Sequence, residues 1–422
     1  MCAGDTNAAT ANIRLIAHPP RSASVEWRYI ALLALLLGAQ PVATDLYLPA
    51  LPALAKELGN PSLTMTLMML CFGIAQLVWG PLSDRFGRRP VLIIGAMGFA
   101  ATGFVGAIVD SMPALIACRS VQGIALAAII VCARATVRDL YAPIDGMRVL
   151  SKGLTGLGLI ALVSPLIGAA LASITPWRGG LVATGVFGLM CLAWILLSYT
   201  ESRPYSVSQR PVSTLGAIKK VLCGPRFRTW TALLCTTYGT LFCFLFGSSF
   251  VYINVFGFTP MGCGGVLALN CVFYITGTYG CRWLLTRYSP ERAVRIASIF
   301  SMSGGVFMLV HALVFEPAAW AMIAGQCVFS IGHGVTQPCG QAGAIGDFPE
   351  HAGQASALSG FMMMIVAFAS GQTIARFLGA SAWPLIISSA LGGSLVAFVA
   401  WFIVSRNHVG EPAQEARKTA PR

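Results

Sequence analysis

Long apolar stretches separated by short polar ones set the pattern of the chain. They run near 27–50, 62–81, 91–110, 113–137, 149–173, 180–200, 229–254, 263–286, 293–315, 318–343, 354–376 and 383–405. A bilayer core of ~30 Å takes about 20 apolar residues in a helix, so each stretch is predicted to be a membrane-crossing helix. A polar stretch, 201–228, rich in Pro, Ser and basic residues, lies between the sixth and the seventh. It divides the chain into an N-terminal six-helix bundle (27–200) and a C-terminal one (229–405), with tails at 1–26 and 406–422. The predicted fold class is an all-α polytopic membrane protein of twelve transmembrane helices in two six-helix bundles. Two such halves are a common transporter plan, with the substrate site between them near mid-membrane.

Composition agrees. The 422 residues are 56% hydrophobic and 10% charged, against roughly 25% charged in a soluble domain. The net charge of +13 would suggest nucleic acid in a soluble protein. Here the basic residues fall between apolar runs and read as topology signals, so no nucleic-acid partner is expected. With the N-terminus inside, the inner segments hold Arg14, Arg21, Arg28, Arg85, Arg88, Arg89, Arg138, Arg148, Lys152, Arg203, Arg210, Lys219, Lys220, Arg226, Arg228, Arg287, Arg292 and Arg295, and the tail adds Arg406, Arg417, Lys418 and Arg422. The outer loops hold only Lys56 and Arg178, which predicts both termini on the cytoplasmic side. The first 26 residues contain Pro19 and Pro20 and no apolar core of a signal peptide, and are expected to form a disordered tail.

Several classes of chemistry find no support. The 13 cysteines form no C-x-x-C pair and no zinc spacing; they read as small apolar packing residues, and no metal is expected. No G-x-x-x-x-G-K-[ST] loop is present, so ATP is not expected to drive the protein. No H-E-x-x-H or Ser/His/Asp motif in matching context points to an enzyme. A channel would need a ring of charge or a carbonyl filter, and twelve spans with one buried acid do not suggest it.

The charges inside spans carry the candidate chemistry. Asp45 is the one acid placed well inside a span; Asp110 and Glu316 fall at span ends. A carboxylate there costs at least ~2.5 kcal/mol on insertion scales and is a functional hypothesis by default. Arg134, Arg282 and Arg376 lie near span ends, where they can snorkel. Arg119 sits ~8 Å from the outer boundary at 1.5 Å per residue. Asp45, ~24 Å from the inner boundary by the same rise, lies ~6 Å from the outer side of a 30 Å core. At that shared depth the two can interact directly or through water if the first and fourth helices face one cavity. Asp45 is the candidate proton-coupling site, with burial raising its pKa and a nearby cation lowering it, and Arg119 is the candidate counter-charge. The alternative is a static ion pair locking the first span to the fourth. For substrate, Tyr238, Phe242, Phe246 and Phe250 recur every fourth residue along the seventh span, and Tyr47, Gln122 and Asn270 add polar contacts. Aromatic walls with few polar groups suit amphipathic drug-sized ligands. Packing or lipid-facing roles account for any single Phe equally well, and His333 reads more readily as a packed histidine.

Specific motifs add a family resemblance. GPLSDRFGRRP, Gly80 to Pro90, resembles the loop between spans two and three of the major facilitator superfamily. RSVQG, Arg119 to Gly123, resembles its R-x-x-Q-G element. GLGLIALVSPLIGA, Gly156 to Ala169, is similar to its antiporter motif, with Ser164 and Ala169 in place of two glycines. ATDLYLPALP (Ala43 to Pro52), ATVRDLY (Ala135 to Tyr141), ALN (Ala268 to Asn270), DFPEHAGQASALSG (Asp347 to Gly360) and SAWP (Ser381 to Pro384) resemble the bicyclomycin- and chloramphenicol-resistance branch, Bcr/CflA.

The resemblance covers both halves, from about Trp27 to Trp401. It implies the major facilitator fold, rocker-switch alternating access, and a monomer in the bacterial inner membrane that exports drug-like molecules of bicyclomycin, chloramphenicol or sulfonamide type. Proton influx is the energy source, with no other cofactor; substrate, protons and lipid are the partners. A same-fold exporter of an endogenous metabolite or a self-made natural product is the alternative. Gly80, Asp84, Arg85, Gly87, Arg88 and Arg89 would form gating contacts, with Asp139 in the same network. Gly87 suits the tight turn, and Asp84 would sit against a helix N-terminus, the eleventh span's by resemblance. Gly156, Pro165 and Gly168, with Gly153 and Gly158, permit close packing and a bend. The resemblance places that run at the interface between the halves.

Overall fold

The computed structural model of the protein describes residues 23–141, 143–175, 177–202, 214–348, 351–377 and 381–404. The ends of the chain and 203–213, with Arg14, Arg21, Arg203, Arg210, Arg406, Arg417, Lys418 and Arg422, lie outside the described residues. The elements are α1 (Ala23–Thr44), α2 (Leu51–Leu58), α3 (Ser62–Phe86), α4 (Arg88–Ile108), α5 (Met112–Leu140), α6 (Pro143–Ile174), α7 (Arg178–Ser198), α8 (Thr214–Cys223), α9 (Pro225–Phe250), α10 (Pro260–Leu285), α11 (Pro290–Val314), α12 (Ala319–Gly346), α13 (Ala352–Phe377) and α14 (Trp383–Phe398).

Eleven spans among the described residues are long and apolar enough to cross a bilayer, with α1 and α2 counted as one. The twelfth crossing is α12, with 28 residues. Gln326, His333, Gln337 and Gln341 lower its apolarity, and it packs among α9, α10, α11 and α13. Large apolar side chains such as Ile108, Leu197, Leu313 and Leu391 are exposed on the outer surface of the bundles. Hydrocarbon, not water, accommodates apolar exposure on that scale. The chain is a multi-pass membrane protein with the twelve-helix fold that the pattern of apolar stretches predicts.

The halves meet along two seams, α3 against α13 and α6 against α10. On the first, Gln372 Nε2 donates to Thr66 Oγ1 at 2.5 Å, and Gly73 and Gly360 admit Met364 and Gln76. On the second, the Cys271 thiol donates to the Ala161 carbonyl at 3.4 Å, and Arg282 to Ser151 Oγ at 3.1 Å. Gly264 lies against Ala169 and the Pro165 carbonyl. The glycine run of α6 therefore divides. Gly158 and Pro165 face α10 across the seam, whereas Gly153 and Gly156 face Leu33 and Ala34 of α1 within their own half.

The first span differs from the continuous helix predicted over 27–50. It breaks after Thr44, turns through 45–47, and resumes as a 3₁₀ turn, Leu48–Ala50, and α2. Proline explains the break. Pro49 and Pro52 have no N–H to return to the carbonyls four residues earlier, so the ladder cannot run on. Tyr47 N bonds the Thr44 carbonyl at 3.2 Å, three residues back rather than four. The Ala43 carbonyl is thereby released from the helix.

Gly168 makes room for the break. A Cβ there would run into the Leu46 carbonyl, which is backbone and cannot swing aside. Gly168→Ala is expected to lower stability by ~1–3 kcal/mol, the usual cost of overpacking, seen as a reduced Tm in detergent. An unchanged Tm would show that the bend tolerates a wider separation from α6.

At the end of the bundle remote from the α3–α4 turn, Arg178 ties α2 down. Its guanidinium bridges Glu57 at 2.7 Å and Asp110 at 2.6 Å, and Trp177 Nε1 donates to Glu57 at 2.8 Å. From there α2 and the 3₁₀ turn also contact α9 of the other half.

Candidate functional site

The break in the first span positions both predicted charges, in different ways. Asp45 is half-buried, and its carboxylate accepts from Thr44 Oγ1 at 2.7 Å. It lies within electrostatic reach of the Tyr238 hydroxyl on α9 and the Cys271 thiol on α10. The carboxylate thus lies on the side of its bundle that meets the C-terminal half. Beside it, Gln40 Nε2 donates to Tyr238 Oη at 3.4 Å, linking the halves directly.

Arg119 points into the N-terminal bundle and is 1% exposed. Among the described residues no ion pair joins it to Asp45. One amino group donates to the Ala43 carbonyl at 2.7 Å, the acceptor that the break released. The other donates to Gln122 Oε1 at 2.5 Å, and the guanidinium lies 4.6 Å from the Tyr47 ring centroid. Its Nε has no partner. Arg119 therefore holds the bend in place through backbone and π-face contacts, and among the described residues Asp45 has no counter-ion. Gly123, next to Gln122, lets α5 approach the Met68 backbone of α3, which a Cβ would block.

The other predicted substrate residues separate in the same way. Tyr238 is half-buried where the halves meet and stacks on Phe242 at 6.4 Å. Phe242 and Phe246 are buried, and Phe242 packs against Gly371 of α13. Tyr47 and Gln122 serve Arg119, and Gln122 also donates to the Phe99 carbonyl of α4 at 3.4 Å. Asn270 is buried within the C-terminal bundle, where its Oδ1 accepts from the Cys327 thiol at 3.4 Å.

The predicted gating residues gather at the α3–α4 turn. Gly87 takes φ +97°, a conformation that favours glycine. Arg88, 4% exposed, is the hub. It reaches Asp139 Oδ2 of α5 at 2.9 Å, Asp84 Oδ1 at 2.6 Å and Ser83 Oγ at 2.6 Å. Asp84 thus binds an arginine one turn along its own strip of chain, where the sequence placed it at another helix's N-terminus. The N-terminus that is capped is that of α4, and the cap is Glu201. Its two carboxylate oxygens accept from Arg88 N at 2.9 Å and Arg89 N at 3.0 Å. Arg89 also reaches the Leu196 carbonyl at 3.4 Å, and Arg85 lies over Phe86. Gly80 has open space around it. Just after α7, the Tyr199 hydroxyl bridges Thr136 Oγ1 and Ser202 Oγ at 2.8 and 3.0 Å.

Sequence reasoning did not single out Glu201, which opens the polar stretch between the halves. A usable signal was present, an acid after the last span of a bundle whose α3–α4 turn begins a helix with free N–H groups. Glu201→Ala is expected to destabilise the start of α4 by ~1 kcal/mol, the typical value of an N-terminal cap. Amide exchange should rise locally at Arg88 and Arg89; unchanged exchange there would assign the capping to another group.

Two helical bundles meeting along two seams, with a carboxylate in a helix break between them, define a membrane transport protein. The chain belongs to the Major Facilitator Superfamily, whose family model matches residues 33–371. A bicyclomycin resistance protein homolog of Haemophilus influenzae is 27% identical over 391 residues, covering 90% of this chain and 96% of its own. A chloramphenicol resistance protein of Pseudomonas aeruginosa is 27% identical, covering 87% and 89%. Multidrug resistance protein D of Escherichia coli is also 27% identical, covering 80% and 85%. Among solved structures, a D-xylose–proton symporter superposes with TM-score 0.71 at 14% identity, over 90% of this chain and 97% of that one. A human organic anion transporter gives 0.65 at 19%, over 92% and 100%. These two share the fold.

Proposed function

We propose that the protein exports drug-like small molecules across the bacterial inner membrane in exchange for protons, by alternating access. The observation that carries this reading is Asp45. It is a half-buried carboxylate in a broken helix, facing the opposite bundle, with a hydroxyl rather than a cation as its hydrogen-bond partner. A static structural pair would put a cation there. An acid without one can take up a proton from one side of the membrane and release it to the other. Relatives named for bicyclomycin, chloramphenicol and multidrug resistance support drugs as the substrate class.

The end that carries Arg85, Arg88 and Arg89 is cytoplasmic in this reading, following the distribution of Lys and Arg. Proton influx is the sole energy source, and the monomer is the working unit. The Arg88–Asp139 contact joins α3–α4 to α5 at that end and would break and re-form as the halves rock.

Everted vesicles with an acidified lumen and a pH-sensitive dye test the proposal. Addition of chloramphenicol-like, sulfonamide-like or bicyclic-peptide drugs should discharge the lumenal acidity with at least one of them. Folded protein that gives no discharge with any would contradict drug/proton exchange and favour export of an endogenous metabolite.

A further inference from the structure

Next to Tyr238, the C-terminal bundle contains a continuous polar cluster that the residues predicted for substrate do not include. Thr237 Oγ1 of α9 lies 2.9 Å from both Thr336 Oγ1 and His333 Nδ1 of α12. The Gln337 side chain meets the same imidazole, one turn further along α12. Tyr274 Oη of α10 donates to Gln337 Oε1 at 3.0 Å. Thr237, His333 and Thr336 are each at most 1% exposed, whereas Tyr274 and Gln337 are half-buried. Tyr274 stands about one turn from Cys271, which is within reach of the Asp45 charge, and Thr237 adjoins Tyr238.

The hydrogens of this cluster run in either direction between Thr336 and His333. In one order Thr336 donates back to the Gly332 carbonyl at 3.1 Å, the usual bond of a threonine within a helix, Thr237 donates to Thr336, and His333 Nδ1–H donates to Thr237. In the other Thr336 donates to Thr237, Thr237 donates to Nδ1, and the hydrogen of the neutral ring lies on Nε2. In both, the Tyr274 hydroxyl donates to Gln337 Oε1 and sets that oxygen toward Tyr274. Two groups are left on the half-buried side: a lone pair on Tyr274 Oη and an N–H of Gln337.

We propose that Tyr274 and Gln337 form a substrate subsite on the C-terminal bundle for a neutral group carrying a hydrogen-bond donor and acceptor side by side, such as a hydroxyl or a primary carboxamide. His333, Thr237 and Thr336 are positioning residues behind the Gln337 side chain. The subsite carries no formal charge, in contrast to Asp45. It deepens the transport reading and rests on it for the substrate path between the halves.

Equilibrium binding to the purified full-length protein tests the subsite without requiring transport. The probes are chloramphenicol, whose hydroxyl groups each offer a donor and an acceptor, and tetraphenylphosphonium, a cation with no hydrogen-bonding group. Tyr274→Phe should weaken chloramphenicol roughly tenfold, the scale of one hydrogen bond and its stranded partner. Thr237→Val, which touches no ligand, should weaken it about threefold by freeing the imidazole and the Gln337 side chain to turn. Tetraphenylphosphonium binding should stay unchanged in both. Equal loss of both probes, unchanged chloramphenicol binding in Tyr274→Phe, or a wild-type protein that does not bind chloramphenicol would each overturn the subsite. Proton release measured on the same samples separates the two readings. Selective loss of chloramphenicol binding without any proton release keeps the subsite and removes the exchange mechanism.

Discussion

Asp45→Asn protein is expected to lose uphill transport while still binding substrate. One charge crossing 100 mV is worth ~2.3 kcal/mol, and tenfold in a gradient corresponds to 1.4 kcal/mol. One proton therefore supports a gradient of roughly 50-fold for a neutral drug by those two magnitudes. Asparagine keeps the size and the Thr44 contact but cannot change its charge. Accumulation in everted vesicles should fall from tens of fold to equality, while substrate exchange down its own gradient continues. The affinity of the wild type should fall as pH falls, because the proton and the substrate favour opposite states of the carrier. In Asp45→Asn that slope should vanish. Retained uphill transport would move the proton to another group.

Arg88→Ala should give the largest loss of stability. Asp139 is 12% exposed at its side chain, and removing Arg88 strands it. Stranding one partner of a buried pair costs ~3–5 kcal/mol. The double variant Arg88→Met, Asp139→Leu removes both charges and should recover most of that in Tm, since apolar replacement of a buried pair is often neutral or better. If the pair is a gating contact, transport should not recover with it. Recovery of both would mark Arg88 and Asp139 as structural only.

These outcomes bear on how much of the protein was legible in its sequence. The twelve crossings followed from length and apolarity, because a bilayer leaves the backbone few alternatives to a helix. Only α12 strained that signal, and its polar residues proved to include the His333 and Gln337 cluster. That Arg119 and the segment carrying Asp45 lie at one level was readable from the rise of a helix, but the break beside Asp45 was not taken from Pro49 and Pro52, although their missing N–H groups imply it.

The partners of Arg119 were out of reach for the same reason. Its main acceptor is the Ala43 carbonyl, which is available only because the helix stops, and no residue type advertises a free carbonyl. A carboxylate at matching depth was the natural guess, and the structure turns the two charges away from each other. Tyr274 and Gln337 escaped notice because each is an ordinary polar residue in an apolar helix. Their meaning arises from α9, α10 and α12 coming together, a juxtaposition that no local spacing encodes. Gly87 and Arg88 were readable in place, since a left-handed turn and a basic loop are local features. Glu201 lies 113 residues from Arg88, so the cap that closes that turn was not.

The most direct test of the central claim is proton release on substrate binding, measured with a pH indicator in weakly buffered, purified protein. Chloramphenicol is the first probe. The account predicts that wild-type protein releases protons when it binds and that Asp45→Asn binds without releasing any. Equal release from both, or binding to the wild type with no release, would contradict Asp45 as the coupling site.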